Sequence, residues 1–382
     1  MCAWRFIQPV DTLSLRGNKL FGAAGDFGES SFLPKPSVLA GALRSLLLAQ
    51  TADEIERFAG QERRLSDAEL DRILGTPAQP GEFALQGVFP ARRAADGRVR
   101  LLLPLPADLL AFDEGRTVRA LEPQRLPFGI GASALQGLSH VAVLRQPELA
   151  KPESGWLLSE AGIAVYLAGR SVQPEHLVKQ SDLWAREARV GIGLSRTSRT
   201  AEDGKLFTVE HTVPRQPEHG GHAVGLAVHV GGAEPRLPET GLLRLGGDGR
   251  AAAMTAMPAP DWSAPLPAIG RTRRFKLVLT TPGLFSDGWR PLLPDGLKAR
   301  LVCAAVPRFE VISGWDLAAW KPKDAERAAP AGSVYWFQDF DGDPDKLADW
   351  VAGGLWGENA DCDPRRRAEG YNNALLAAWP LD

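Results

Sequence analysis

Cysteine is scarce in this sequence. Its three residues, Cys2, Cys303 and Cys362, are too far apart for a CxxC metal site or a disulfide framework. A reducing cytoplasm fits that usage. No apolar run is long enough to span a bilayer, so no membrane partner is expected. Charged residues interrupt the first residues and no hydrophobic core follows Met1, so a signal peptide is not expected. No GxxxxGKS or GxxxxGKT is present, which excludes a P-loop on motif grounds. Phe128-Gly129-Ile130-Gly131 opens like a dinucleotide fingerprint, but Ala134 stands where the third glycine belongs. There is no GxSxG nucleophile elbow. Asp339, Asp341, Asp343 and Asp345 alternate like a calcium loop, yet Gly342 is misplaced and Trp350 occupies the closing Glu position. They read as an acidic turn. His219 and His222 have no cysteine pair to make a zinc site. Neither a metal nor a cofactor is expected.

An excess of one charge is missing too. The formal net charge is −2, without the basic surplus of a standalone RNA binder. The distribution is uneven, however. Cations gather at Arg92-Arg93 with Arg98 and Arg100, at Arg271, Arg273-Arg274 and Lys276, and at Arg365-Arg366-Arg367. A chain touching RNA on one face and proteins on others would look like this, and so would an ordinary enzyme.

What is present starts with Trp4 to Arg44. Arg5 to Gln8 reads as a short strand. A glycine-punctuated loop with Arg16, Lys19, Phe21 and Phe27 follows, closing on Pro34-Lys35-Pro36-Ser37. Ser37 suits an N-cap, and Pro36 blocks an earlier helix start. Val38, Leu39, Ala42, Leu43, Leu46 and Leu47 then recur at helical spacing, with Gly41, Arg44 and Ser45 on the other face. A cationic loop delivered to a helix N-terminus suits a phosphate. The same residues also suit a plain strand–loop–helix connection.

Asp53 to Leu74 reads as one or two surface helices. From Gly75 to about Lys179, Pro and Gly are frequent and apolar runs short; Pro104 to Gly137 is irregular, and Gly162 to Ala168 reads as a strand. Val190, Ile192 and Leu194 alternate, as do Leu206 to His211, giving two strands joined by the polar connector Ser195 to Lys205 with Arg196, Arg199 and Lys205. Such a cationic hairpin tip can reach a nucleic-acid groove or separate bases; a solvated hairpin is the plain alternative. Ala223 to Val230 is a strand, and Leu245 to Arg250 a glycine-rich turn ending in Arg250. The proline-rich Pro258 to Pro267 is the expected domain boundary. Beyond it come strands at Arg274 to Thr280, Leu301 to Val306, Ser333 to Phe340 and Asn373 to Trp379, with a helix at Asp343 to Trp350. Gly353-Gly354 and Arg365 to Tyr371 read as a loop able to bind phosphates and stack a base.

Several of these segments carry a family resemblance. Pro9-Val10-Asp11, Leu15-Arg16-Gly17-Asn18, Phe21-Gly22 and Pro34 to Arg44 resemble the RAMP superfamily of CRISPR proteins, most closely the third-subunit family of type III-B (Cmr) effector complexes. Arg189 to Ile192 with Thr200-Ala201, Gly204 and Leu206-Phe207 is similar to the strand pair whose connector forms the RAMP thumb. Leu245 to Arg250 resembles the RAMP glycine-rich element, and the segment from Gly353 the family's C-terminal glycine-rich loop. Ser313-Gly314-Trp315-Asp316 with Lys321-Pro322-Lys323 matches a further family pattern.

The resemblance implies an α+β fold with two ferredoxin-like (RRM-like) domains facing across a cleft. The first spans 1–258, with a large irregular insertion at about 52–180; the second spans 259–382. It implies a non-catalytic subunit holding the 5′ repeat-derived handle of the crRNA and bridging the large polymerase-like subunit to an adjacent RAMP backbone subunit, in antiviral defence. Expected RNA contacts are Arg16, Lys19, Ser37, Arg44, Arg196, Arg199, Lys205, Arg250, Arg365, Arg367 and Tyr371. Trp315 and Lys321 are expected near a subunit contact. The alternatives are a guide-processing, metal-free ribonuclease of the same fold, the equivalent type III-A subunit, or a scaffold binding only proteins. None of the six histidines lies before the first helix or is marked by spacing, so no catalytic residue is assigned.

Overall fold

The computed structural model describes residues 3–15, 27–28, 33–60, 64–127, 137–145, 150–195, 197–215, 223–316, 321–357 and 363–380. In chain order its main elements begin with β1 (Ala3–Pro9), α1 (Pro36–Leu48), α2 (Glu54–Ala59), α3 (Ala68–Leu74), β2 (Ala84–Arg93) and β3 (Val99–Leu101). They continue with α4 (Glu160–Leu167), β4 (Trp184–Leu194), β5 (Ala201–Pro214), β6 (Ala223–Gly231), β7 (Thr240–Arg244) and β8 (Ala251–Ala256). The second half holds α5 (Leu266–Thr272), β9 (Phe275–Leu279), β10 (Lys298–Ala305), β11 (Val334–Asp341), α6 (Pro344–Ala352), α7 (Pro364–Glu369) and β12 (Ala374–Ala378). Among the described residues no helix is long and apolar enough to cross a membrane.

The architecture is mixed α+β, with small antiparallel sheets and few helices. The first sheet runs β7-β8-β1-β6-β2-β3 and the second β10-β11-β9-β12, with antiparallel neighbours throughout. Counted within each half, β8-β1-β6-β2 and β12-β9-β11-β10 share the order fourth, first, third, second. The first half keeps helices between its first and second strands. The second keeps them between its third and fourth.

Period-two alternation sorts the side chains into layers. On β1, Ile7 joins the cluster under α1, where Leu39, Leu43 and Leu47 are fully buried. Burying each of these leucines contributes about 1.5–3 kcal/mol. Phe6 points the other way. It meets Ala227 and Phe89 in a cluster that also takes Val278, Trp336 and Ala377 from the second sheet and Ile163, Tyr166 and Leu167 from α4. The outer face of the second sheet, with Phe275, Leu277, Tyr335 and Phe337, packs against Ile269 of α5 and Leu347 and Val351 of α6. The facing sides of the two sheets are thus filled by apolar side chains and α4, instead of lining the open cleft expected between them.

Asp108 and Tyr166 meet Lys276 of the second half in a buried polar triad. Lys276 Nζ is 2.8 Å from Asp108 Oδ2, and the Tyr166 hydroxyl donates to both Asp108 oxygens at 2.9 and 3.1 Å. The ammonium also sits 4.1 Å from the Tyr166 ring centroid. Burial and the adjoining carboxylate hold the Tyr166 hydroxyl in its protonated form, far above the usual phenol range.

Four expectations are corrected. Ala84–Arg93, placed in the insertion, is an inner strand of the first sheet; a register shift at His229/Val230 lets one strand send Leu85 to the α1 side and Phe89 to the middle layer. Residues 160–167 form a helix, not a strand. Their short apolar run suits either element, and the Ser159 cap decides by accepting from Gly162 N–H at 3.2 Å. Helix α1 starts at Pro36, so Ser37 lies inside it and Lys35 occupies the N-cap. Arg365 to Arg367 lie in a short helix, not a loop: Asp363 accepts from Arg365 N–H at 2.8 Å and Pro364 takes the first helical position.

Candidate nucleic-acid interface

Directly after β1 the chain is clamped from two sides. Leu13 N–H donates to Thr212 O at 2.8 Å and Thr212 N–H returns a bond at 2.9 Å. Gly247 N–H donates to Ser14 O at 2.8 Å. The approach of the glycine-rich turn is so close that a Cβ on Gly246 would sit 2.6 Å from Ser14 O, and its φ of +80° is one that L side chains rarely adopt. Buried Leu13 and Leu15 anchor the segment from below. Residues 13–15, the base of the 184–214 hairpin and the 245–250 turn therefore meet. Arg250 reaches across it, its Nη1 3.1 Å from Asp11 Oδ2. His211 lies buried beneath, 3.4 Å from Thr12 Oγ1. Burial, helped by the nearby Arg189 and Arg250 charges, holds its pKa below the usual imidazole value.

From this base the ribbon β4–β5 projects. Ile192 pairs with Leu206 and Val190 with Thr208, so Val190, Ile192, Leu194 and Leu206 share one face. That face is open to solvent: Val190 is 70% and Leu206 58% exposed. A projecting ribbon with an uncovered apolar face is a surface shaped for contact. On the other face the Phe207 ring lies against Gly191, where a Cβ would meet it at 2.4 Å. Phe27 and Gly28 run parallel to Thr208 and Val209 on the ribbon's edge. At the tip Arg199 is exposed, with a left-handed φ of 56°, and Lys205 is exposed beside Gly193. Arg16, Lys19 and Arg196 lie outside the described residues.

A second cluster forms where α1 meets α7. The first turn of α1 holds no acidic residue and has no side-chain cap. Lys35 pairs with Glu310, and the Ser37 hydroxyl lies 3.3 Å from that of Tyr371. Arg44 lies half-buried over the Phe83 ring at 5.1 Å; burial draws its pKa down while Glu369 opposes that. Arg365 is held by Asp363, with its Nε and Nη2 each 3.1 Å from a carboxylate oxygen. Arg367 is exposed. Tyr371, expected to stack a base, is fully buried with Ile312, Ala328 and Trp356, and its hydroxyl pKa is pushed up to about 12 by burial. Its ring holds the fold together and is not offered to a base.

Arg366, not singled out in the sequence, is the centre of this cluster. It binds Glu326 at 2.6 and 2.9 Å and Glu369 at 3.2 Å, and lies over the Tyr371 ring. Lys323 adds a second cation to Glu369 at 2.5 Å. Asn373 Nδ2 donates to Leu85 O at 3.1 Å, tying the C-terminal segment to the first sheet. The Asp363-Pro364 helix-start signal and the three-residue spacing of Arg366 and Glu369 could have revealed the pair. Trp315 is 50% exposed on a small ribbon, where Asp316 pairs with Lys321.

The structure thus makes two separate clusters. Residues 13–15 belong to the first and residues 35–37 to the second. The hairpin tip stands apart, roughly 30 Å along the ribbon from Trp184 at about 3.3 Å per residue.

No curated protein matches the chain. Chains of solved structures do match, two of them from cryo-EM work. One is from the type III-B Cmr-beta complex bound to cognate target RNA, with 14% identity, a TM-score of 0.51, and 97% of this chain and 96% of that chain covered. The other is from the same assembly with target RNA and AMPPnP, with 13% identity, a TM-score of 0.50, and 97% and 93% covered. At these identities the likeness is one of fold. The model of the family described as CRISPR-associated protein (Cas_Cmr3) matches residues 5–379. The chain belongs to that family, whose members are RAMP-like Cmr subunits.

Proposed function

We propose that this protein is a non-catalytic subunit of a type III-B CRISPR effector complex that holds the 5′ repeat-derived handle of the crRNA. The observation carrying this reading is the projecting ribbon β4–β5, pinned at its base beside a glycine-rich turn that lies against the opening segment. Glycines there let a backbone come close, Arg250 and the ribbon cations supply charge, and an open apolar face can meet splayed bases. The shared strand order of the two sheets supports two ferredoxin-like halves. In this reading Arg199, Lys205, Arg250 and Arg367 meet RNA, and by sequence position Arg16, Lys19 and Arg196 join them. Ser37, Arg44, Arg365 and Tyr371 shape the α1–α7 support. Trp315 and Lys321 face a neighbouring subunit, and the chain bridges the large polymerase-like subunit to the first backbone subunit. The complexes named in the structural matches contain RNA, which agrees with this reading. UV crosslinking of the assembled complex should give RNA adducts on the ribbon and the 245–250 turn; adducts on every other subunit and none here would leave a protein-only scaffold. Clean cleavage of repeat RNA by the purified chain would refute the non-catalytic assignment.

A further inference from the structure

Beside the α1–α7 cluster, with which it shares Ala328, lies a cavity of about 410 Å³ lined mainly by the second half. Ala304, Ala328 and Ala329 line it with small side chains, and Trp289, Phe309 and Arg327 bring two aromatic rings and a guanidinium. Its size suits a small organic ligand. Arg327 Cζ lies 4.8 Å from the centroid of the exposed Phe309 ring, and Arg290 covers Trp289 at the same distance. Trp289 is fixed in turn. It stacks on Tyr335 with 6.2 Å between centroids, and its carbonyl accepts from the Tyr335 hydroxyl at 2.7 Å. Arg327, and the exposed Arg308 that precedes Phe309 in the chain, make no ion pair among the described residues.

Aromatic walls over an alanine floor suit a flat ring, and uncompensated guanidinium groups suit an anion. A nucleobase joined to a phosphate supplies both. We propose that this cavity is a nucleotide site, with the base against Phe309 and the phosphate at Arg327 and Arg308. An apolar peptide side chain would fill the floor and leave both cations without a counter-charge. As a site for one unpaired base of an RNA it rests on the reading above; as a site for a free mononucleotide it does not.

The test labels the full chain with two photoprobes, 8-azido-adenosine monophosphate and 4-thiouridine-substituted single-stranded RNA, and maps the adducts. Adducts within residues 285–309 or 327–329 are expected. Labelling by the mononucleotide alone marks a free-nucleotide site, and labelling by RNA marks a base of the chain. Phe309→Ala, at an exposed ring that the fold does not need, should weaken the labelled ligand roughly 5- to 100-fold, as loss of one base-stacking contact does. With RNA as ligand, Arg327→Ala should reduce the salt slope by about 1. If RNA labels the ribbon while neither probe labels these segments and Phe309→Ala binds normally, the cavity proposal falls and the RNA-binding reading stands. If RNA binds nowhere, the earlier reading fails and the mononucleotide arm decides alone: labelling supports the site and its absence overturns it. Loss of a partner subunit from the Phe309→Ala complex, with no labelling by either probe, would make the cavity a peptide site instead.

Discussion

Replacing Lys276 by Met tests the idea that the segment around Asp108 is locked to the second half by a buried charge. The Asp108 side chain is 3% exposed and that of Lys276 12%, so water screens little of their 2.8 Å contact. Lys276→Met keeps much of the volume and leaves the buried carboxylate, among the described residues, with the Tyr166 hydroxyl as its side-chain partner at 2.9 and 3.1 Å. Breaking a buried pair on one side costs about 3–5 kcal/mol, because the remaining charge is still desolvated. An exposed pair would cost about 0–1 kcal/mol. The two expectations are well separated, and denaturant unfolding monitored by tryptophan fluorescence can tell them apart. The double variant Asp108→Leu with Lys276→Met should recover most of the loss, since an apolar replacement carries no unpaired charge. A loss below about 1 kcal/mol for Lys276→Met, the range of surface pairs, would refute the argument. So would a double variant no better than the single one.

Further outcomes follow from the clusters. Tyr371→Phe removes one hydroxyl contact to Ser37 and should cost about 0.5–1.5 kcal/mol, whereas Tyr371→Ala empties a core position and should cost about 3–5 kcal/mol; differential scanning fluorimetry ranks them. Arg199→Ala at the exposed tip should leave the melting temperature unchanged while lowering RNA affinity and reducing the salt slope by about 1 in filter binding. His140, His211 and His229 all have pKa values lowered chiefly by burial. The unfolded chain then binds protons first as pH falls through about 6.5, so stability should drop below that pH and rise with pH across the window. His229→Gln, which also removes the stack on Trp4, should flatten that slope in unfolding experiments at pH 5 to 7.5, chosen as roughly bracketing the ordinary histidine value.

Sequence alone reached the strands whose alternation is strong and local. Residues 275–279, 334–341 and 374–378 all lie within the expected segments or one residue from them, because a β-strand buried on both faces leaves long apolar runs. The ribbon was legible from period-two alternation instead, Val190, Ile192 and Leu194 alternating with polar or small residues. Burial was not legible. Arg365, Arg366 and Arg367 look alike in the sequence, yet one is held by Asp363, one is buried against Glu326 and Glu369, and one is exposed. Tyr371 looks like a base platform until the chain returns to cover it.

The order of residues determined local things: where the backbone extends, where Pro364 and Asp363 begin a helix, and where Gly246 permits a left-handed turn. Only the tertiary structure decided what fills the space between the sheets, which arginine keeps its charge for solvent, and that Asp108 would meet Lys276 across 168 positions. Those outcomes depend on solvent exclusion and on contacts between distant segments. Both are set by how layers pack, and neither is written in any one stretch of chain.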